Sequence, residues 1–178
     1  MQPLDFVIIL MVTLSVVLVV TAAFGLFVGV PFIRTPKHVV REMIRLAHLR
    51  GGEHVMDLGA GDGSILLAAK NTHPSITAMG VELVPTVWLL GRLRIALSGH
   101  AITYLRRDMR SVPVGNADVI FLYTFPHIMA YLEPKFEAEL RPGTVVISHA
   151  FAFPRRQPTE VVTLGSGFKK KRLLRYEW

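Results

Sequence analysis

Hydrophobic residues follow three different spacings along this chain, and each spacing predicts a different kind of element. From Phe6 to Ile33 there is a run of 28 residues without Asp, Glu, Lys, Arg or His. About 20 apolar residues suffice for a helix to cross the hydrocarbon core of a bilayer. Nineteen of the 28 are Leu, Ile, Val or Phe, each favouring insertion by roughly 0.3 to 0.6 kcal/mol at the helix centre. A buried core helix is seldom apolar on every face over so many turns, so residues 1–33 are expected to form a transmembrane anchor. A cleaved signal peptide needs a positive leading region, and Met1 to Asp5 carries no positive charge. Asp5 precedes the run, whereas Arg34, Lys37, Arg41 and Arg45 follow it. The positive-inside rule then puts the rest of the chain on the cytoplasmic side, or on the matrix side in an organelle. Pro31 and Pro36 are expected to end the membrane helix, with a hinge near Arg34 to Pro36.

Beyond the anchor the pattern becomes helical and then alternates. Val39, Val40, Met43, Ile44, Leu46 and Ala47 fall at helical spacing, and Gly51-Gly52 closes the segment. Residues 34–50 are read as a connecting amphipathic helix and residues 51–178 as one globular domain. Within that domain, strands are expected at His54 to Leu58, Thr77 to Leu83, Ala101 to Leu105, Asp118 to Tyr123 and Thr144 to Ser148. Helices are expected between them at Ser64 to Lys70, Pro85 to about Leu97 and Ile128 to Leu140. Two last strands, Glu160 to Leu164 and Lys171 to Trp178, flank Gly165-Ser166-Gly167 and predict a closing hairpin. Repeated strand-helix-strand units imply an α/β fold. The predicted architecture is a Rossmann-like doubly wound sheet, mostly parallel with an antiparallel C-terminal hairpin, preceded by one transmembrane helix.

Composition narrows the chemistry. The chain has no cysteine, which removes disulfides, thiolate metal sites and a cysteine nucleophile. Its formal charge of +7 suits either nucleic acid or the anionic face of a membrane. No aromatic-plus-basic RNA-recognition motif accompanies that charge, so no nucleic-acid partner is expected. Arg155, Arg156, Lys169, Lys170, Lys171, Arg172 and Arg175 form a basic group that fits a headgroup-facing surface and a solvated face equally well.

In an open α/β sheet, ligands bind beyond the carboxyl ends of the strands, near the point where strand order reverses. Gly59, Gly61 and Gly63 follow the first strand, where positions without side chains let the backbone approach a ligand. Glu82 ends the second strand, 19 positions after Gly63, where a carboxylate can accept from both hydroxyls of a ribose. Asp108 follows the third strand and is placed to accept from an adenine amino group, with Met109 as an apolar flank to the ring. A dinucleotide fingerprint would need glycine at position 64, which is Ser64. Asp57 and Asp62 would also repel a pyrophosphate. A cationic adenosyl ligand, S-adenosyl-L-methionine, fits the acidic loop better. Singly, each residue also reads as a turn glycine or a solvated acid; it is their order along the chain that carries the assignment.

The stretch Val55 to Gly63 resembles the first motif of class I, seven-β-strand methyltransferases, and Val81-Glu82-Leu83, Arg107-Asp108-Met109 and Leu140-Arg141-Pro142-Gly143 resemble their later landmarks. More narrowly, four features together resemble the small membrane-anchored protein-lysine methyltransferases related to those acting on adenine-nucleotide carriers and the c-subunit of ATP synthase. These are the apolar N-terminal helix, Arg34-Thr35-Pro36 before a helix, Asp57 to Gly63, and Leu132 to Leu140 followed by Phe151-Ala152-Phe153-Pro154. The resemblance implies methyl transfer to a lysine ε-amine of a protein substrate, which can itself be an integral membrane protein. Strand order places the acceptor pocket at Tyr123 to His127 and His149, with Tyr123 and Phe125 bordering the transfer channel. Either aromatic also reads as ordinary core, and either histidine as structural or solvated. Many amine methyltransferases carry Asp or Asn before Pro-Pro-aromatic here, whereas this chain has Tyr123-Thr124-Phe125-Pro126. A lipid or quinone-like acceptor and a non-catalytic adenosyl-ligand sensor are the competing readings.

Overall fold

The computed structural model describes residues 2–28, 32–167 and 170–178. Helix α1 covers Pro3–Val28 and stands clear of the rest for most of its length, its apolar side chains exposed from Leu4 to Val17 and at Val19 and Val20. Its end at Val28 comes before Pro31, which lies outside the described residues. After the extended segment 32–36, helix α2 (Lys37–Ala47) starts at the position following Pro36 and ends at His48, which takes a left-handed conformation. The remaining elements are β1 (His54–Leu58), α3 (Ser64–Thr72), β2 (Thr77–Glu82), α4 (Pro85–Ser98), β3 (Thr103–Arg106), β4 (Val119–Leu122), α5 (Pro126–Glu139), β5 (Val145–His149), β6 (Glu160–Leu164) and β7 (Lys171–Glu177).

The seven strands form one sheet in the order β3-β2-β1-β4-β5-β7-β6. The first five pair in parallel, and β7 runs antiparallel to both β5 and β6. The strands alternate their side chains between two cores, as period-2 geometry requires. Val55, Val119, Phe121, Ile147 and Leu173 face α2 and α3, while Met56, Ile120, Leu122, Val146, Leu174 and Tyr176 face α5. Helix α2 is built into the first of these cores: Val39, Met43 and Leu46 are fully buried. The connecting helix thus packs as part of the α/β unit rather than as a tether to it.

Chain order reverses between β1 and β4, because β2 and β3 extend the sheet on one side and β5 on the other. The loops after β1, β2, β3 and β4 therefore open into one crevice at the carboxyl ends of the strands.

Candidate active site

The loop after β1 is held by its neighbours before any ligand is considered. The N–H groups of Gly59 and Ala60 donate to the Val81 carbonyl at 2.8 and 2.9 Å, and that of Gly63 donates to Ala60 O at 2.8 Å. Tyr104 Oη donates to Gly61 O at 2.5 Å from the edge strand. Glu82, 8% exposed, accepts from Gly61 N at 3.0 Å and from Val84 N at 2.7 Å. Its carboxylate therefore braces the glycine loop as well as facing the crevice. Burial raises the Glu82 pKa, and the backbone N–H groups of Val84, Gly61 and Leu83 oppose that rise.

Asp57 and Asp62, the two acids of the glycine loop, fare differently in space. Asp62 pairs with Arg34 Nε at 2.9 Å and with Arg94 Nη1, and accepts from Ser64 Oγ at 2.5 Å. Two guanidinium groups offset its charge, so the acidity presented to a ligand comes from Asp57 and Glu82. Asp57 is 2% exposed, and its Oδ2 has no hydrogen-bond partner among the described residues. Burial first, then the Glu82 and Asp62 carboxylates, push its pKa up to about 8.

The crevice is lined by Asp57, Gly59, Gly61, Glu82, Asp108, Met109 and Tyr123, each of them a residue expected from the sequence. A Cβ on Gly59 would lie 3.0 Å from Met109 Cε, so the bare glycine face and the thioether bound the same space. Asp108 reaches the lining, but its two oxygens engage Arg110 Nε at 3.0 and 2.9 Å, and it caps the 3-10 turn Met109–Ser111 through Arg110 N. That ion pair holds its pKa below the usual carboxylate range. Arg110 N and Nε share Oδ1 while Nε and Nη2 share Oδ2, so a further donor competes with that ion pair.

Two expected residues lie elsewhere. Gly63 is outside the lining; it caps α3 with φ 74°, and a Cβ there would meet Ile95 Cδ1 at 3.2 Å. Phe125 precedes α5 and packs on Phe151, with ring centroids 5.7 Å apart, rather than lining the crevice. Tyr123 does line it, and its ring lies 4.0 Å from that of His149. His149 is buried with both ring nitrogens unpartnered among the described residues. Desolvation and then the Lys171 charge lower its pKa to about 4, so it is neutral at physiological pH. His127 is exposed at the surface.

Phe32, Ile33, Arg34 and Thr35 also line the crevice, a position that sequence reasoning does not give them. Arg34 carries a signal for membrane topology that hides its second use as the partner of Asp62. The aromatic Phe32, at the end of the apolar run, is the available clue.

The residues present fit S-adenosyl-L-methionine. A buried carboxylate oxygen without a donor suits a cation, the bare Gly59 and Gly61 backbone leaves room for close approach, and Glu82 supplies acceptors at the end of β2. Fold and crevice together define a class I, seven-stranded S-adenosylmethionine-dependent methyltransferase. The chain belongs to the family described as the ANTKMT methyltransferase domain, whose family model matches residues 57–160. It is 32% identical over 145 residues to a protein-lysine N-methyltransferase of Saccharolobus islandicus, covering 78% of this chain and 87% of that one. It is 35% identical over 141 residues to the adenine nucleotide translocase lysine N-methyltransferase of Mus musculus, covering 77% of this chain and 60% of the relative. Against the mouse lysine N-methyltransferase of the ATP synthase c-subunit it spans 56% of the relative's length. Among solved structures, an RNA methyltransferase from Salinibacter ruber in complex with S-adenosyl-L-homocysteine superposes with a TM-score of 0.76 and 31% identity. The match covers 82% of this chain and 93% of that one. S-adenosyl-L-methionine is the cofactor of the family to which the chain belongs.

Proposed function

We propose that this chain is a membrane-anchored enzyme that moves a methyl group from S-adenosyl-L-methionine to the ε-amine of a protein lysine, in a substrate that is itself an integral membrane protein. The observation that carries the membrane part is the position of Phe32 to Thr35. The segment that leaves α1 lines the same crevice as Asp57 and Glu82, so an inserted α1 holds the methyl-donor site at the bilayer surface. Helix α1 has the means to insert: Pro3–Thr21 has a mean hydropathy of 2.7 and is not buried by the rest of the chain. The basic residues after it favour the cytoplasmic or matrix side for the domain. The lysine acceptor is supported by the relatives of 32% and 35% identity, each described as a lysine methyltransferase.

In the proposed mechanism, Asp57 and Glu82 hold the cationic cofactor, whose sulfonium supplies an electrophilic methyl carbon. Tyr123, after β4, forms the wall nearest the acceptor, with neutral His149 packed behind its ring. Phe125, two positions further on, packs on Phe151. An amine entering past the Tyr123 wall is desolvated, which lowers its pKa and increases its neutral, nucleophilic fraction. The remaining requirement is in-line approach, which fixed walls provide.

The test incubates the purified full chain with methyl-labelled cofactor and host membranes, then separates protein, lipid and RNA. Label recovered as methyl-lysine in membrane protein supports the proposal. Label confined to lipid or to RNA overturns the acceptor assignment, and cofactor binding without transfer to any fraction favours a sensor.

A further inference from the structure

Helix α4 has two apolar faces, and only one of them is covered. Val87, Gly91 and Ile95 are buried on the inner side. On the opposite side, Leu89, Leu90, Leu93 and Leu97 are exposed by 60, 45, 56 and 79%. Their spacing of i, i+1, i+4 and i+8 puts all four on one helix face. A lone exposed leucine is ordinary, but a contiguous apolar face marks an interaction surface.

The position of α1 indicates what covers it. Thr86 lies on the same face of α4 as the leucines, one turn before them, and its Oγ1 is 2.7 Å from Thr21 Oγ1 of α1. The apolar stretch Pro3–Thr21 has 19 residues, or about 27 Å of helix, close to the roughly 30 Å hydrocarbon thickness. The uncharged run continues past Thr21 to Ile33, so Thr21 lies within the apolar helix, and its contact with Thr86 sets the start of the leucine face beside that helix. Trp88 is half-buried on the flank, with the Arg92 guanidinium 5.2 Å from its ring centroid. An indole and an exposed arginine beside an apolar face are the groups that settle among anionic headgroups.

We propose that the Leu89, Leu90, Leu93 and Leu97 face of α4 inserts into the interfacial layer of an anionic bilayer, as a second membrane contact beside α1. The inference rests on the proposed membrane anchoring by α1. One span alone would leave the domain free to swing, whereas a span plus an interfacial helix fixes the height of the crevice over the membrane. Lipid is the occupant because the face starts beside the apolar helix that the anchor reading puts in the bilayer and carries its cation at its edge.

The chain has no native cysteine, so a cysteine introduced at any position is a unique label. Leu10→Cys, Leu93→Cys and Thr163→Cys variants of the full chain, each carrying an environment-sensitive fluorophore, are reconstituted into vesicles of phosphatidylcholine and phosphatidylglycerol. The expected result is blue-shifted emission at positions 10 and 93, with position 93 quenched best by lipids labelled near the headgroup. Position 163, on the far edge of the sheet, keeps water-like emission. Membrane-like emission at position 10 with water-like emission at position 93 overturns this inference alone. Water-like emission at position 10 overturns the anchor reading, and this inference with it. Disulfide crosslinking of unlabelled Leu93→Cys chains to one another, without lipid quenching of the labelled ones, assigns the face to a second copy and overturns it as well.

Discussion

Arg34 Nε lies 2.9 Å from Asp62 Oδ2, joining the segment that leaves α1 to the loop that follows β1. The Arg34 side chain is 58% exposed and that of Asp62 only 7%, and Asp62 keeps Arg94 and Ser64 when Arg34 is removed. A half-exposed pair of this kind contributes about 0.2 to 1 kcal/mol. Arg34→Gln is expected to weaken S-adenosylhomocysteine binding by roughly 1.5- to 5-fold, with faster ligand release and little change in Tm. Stopped-flow dissociation and thermal unfolding check both halves. An unchanged release rate would show that the Arg34 pair does not hold the roof of the crevice.

The raised pKa of Asp57 predicts a pH dependence with a defined sign. Its folded value of about 8 lies above the ordinary 3.8, so the free folded chain keeps a proton that the unfolded chain gives up. Stability from this group is complete below about pH 4 and is lost as pH rises towards 8. A cationic ligand requires the ionised form, so below pH 8 its binding expels the proton, and affinity climbs up to about tenfold per pH unit. The neighbouring Glu82 and Asp62 carboxylates raise the cost of that ionisation when no cation is bound. Calorimetry in buffers of different ionisation enthalpy is expected to show proton release near pH 7, and Asp57→Asn to abolish it. A pH-independent affinity with no proton release would remove Asp57 from contact with the cation.

Strand-helix alternation exposes the α/β class and its mostly parallel sheet because each strand and the helix after it are local in sequence, and Gly59, Gly61 and Glu82 are legible because they follow or close strands. What stays hidden is set by contacts between distant segments. Nothing in the sequence around Asp62 indicates that Arg34 and Arg94 converge on it. Phe125 reads as a channel residue from its place after β4, yet packing against Phe151 turns it away. Arg155 and Arg156 read as free surface charge, but Glu133, 2% exposed in α5, accepts from both of their N–H groups at 3.0 and 2.8 Å. A buried glutamate on a helix is invisible to a periodicity argument, because its partners arrive from a loop more than 20 residues away.

Glu82 is expected to show a combined binding and folding role. Glu82→Ala removes acceptors for Gly61 N and Val84 N as well as those offered to a ribose. It should weaken cofactor binding by about 1.5 to 3 kcal/mol, with a lowered Tm. Glu82→Gln, which keeps the shape and one carbonyl oxygen, should fall between alanine and wild type. Lowered Tm with unchanged affinity by calorimetry would confine Glu82 to bracing the loop.

Gly61 allows a contact to be separated from backbone strain. Its φ is 57°, and a Cβ there would lie 2.7 Å from Phe32 Cε2 and 3.2 Å from Cδ2. Gly61→Ala therefore has two costs: about 1 to 2 kcal/mol for a left-handed L-residue, and whatever is needed to displace the Phe32 ring. Phe32 is 41% exposed, so its ring can move or be deleted without opening the core. Adding Phe32→Ala to Gly61→Ala should relieve the second cost and leave the first, a favourable coupling of about 0.5 to 3 kcal/mol between the two substitutions. Denaturant unfolding of the four chains in detergent measures the cycle, and cofactor affinity across the same four reads whether the roof matters for binding. Strict additivity in both would mean that Phe32 does not rest on Gly61, and the segment leaving α1 would then lose its part in shaping the crevice.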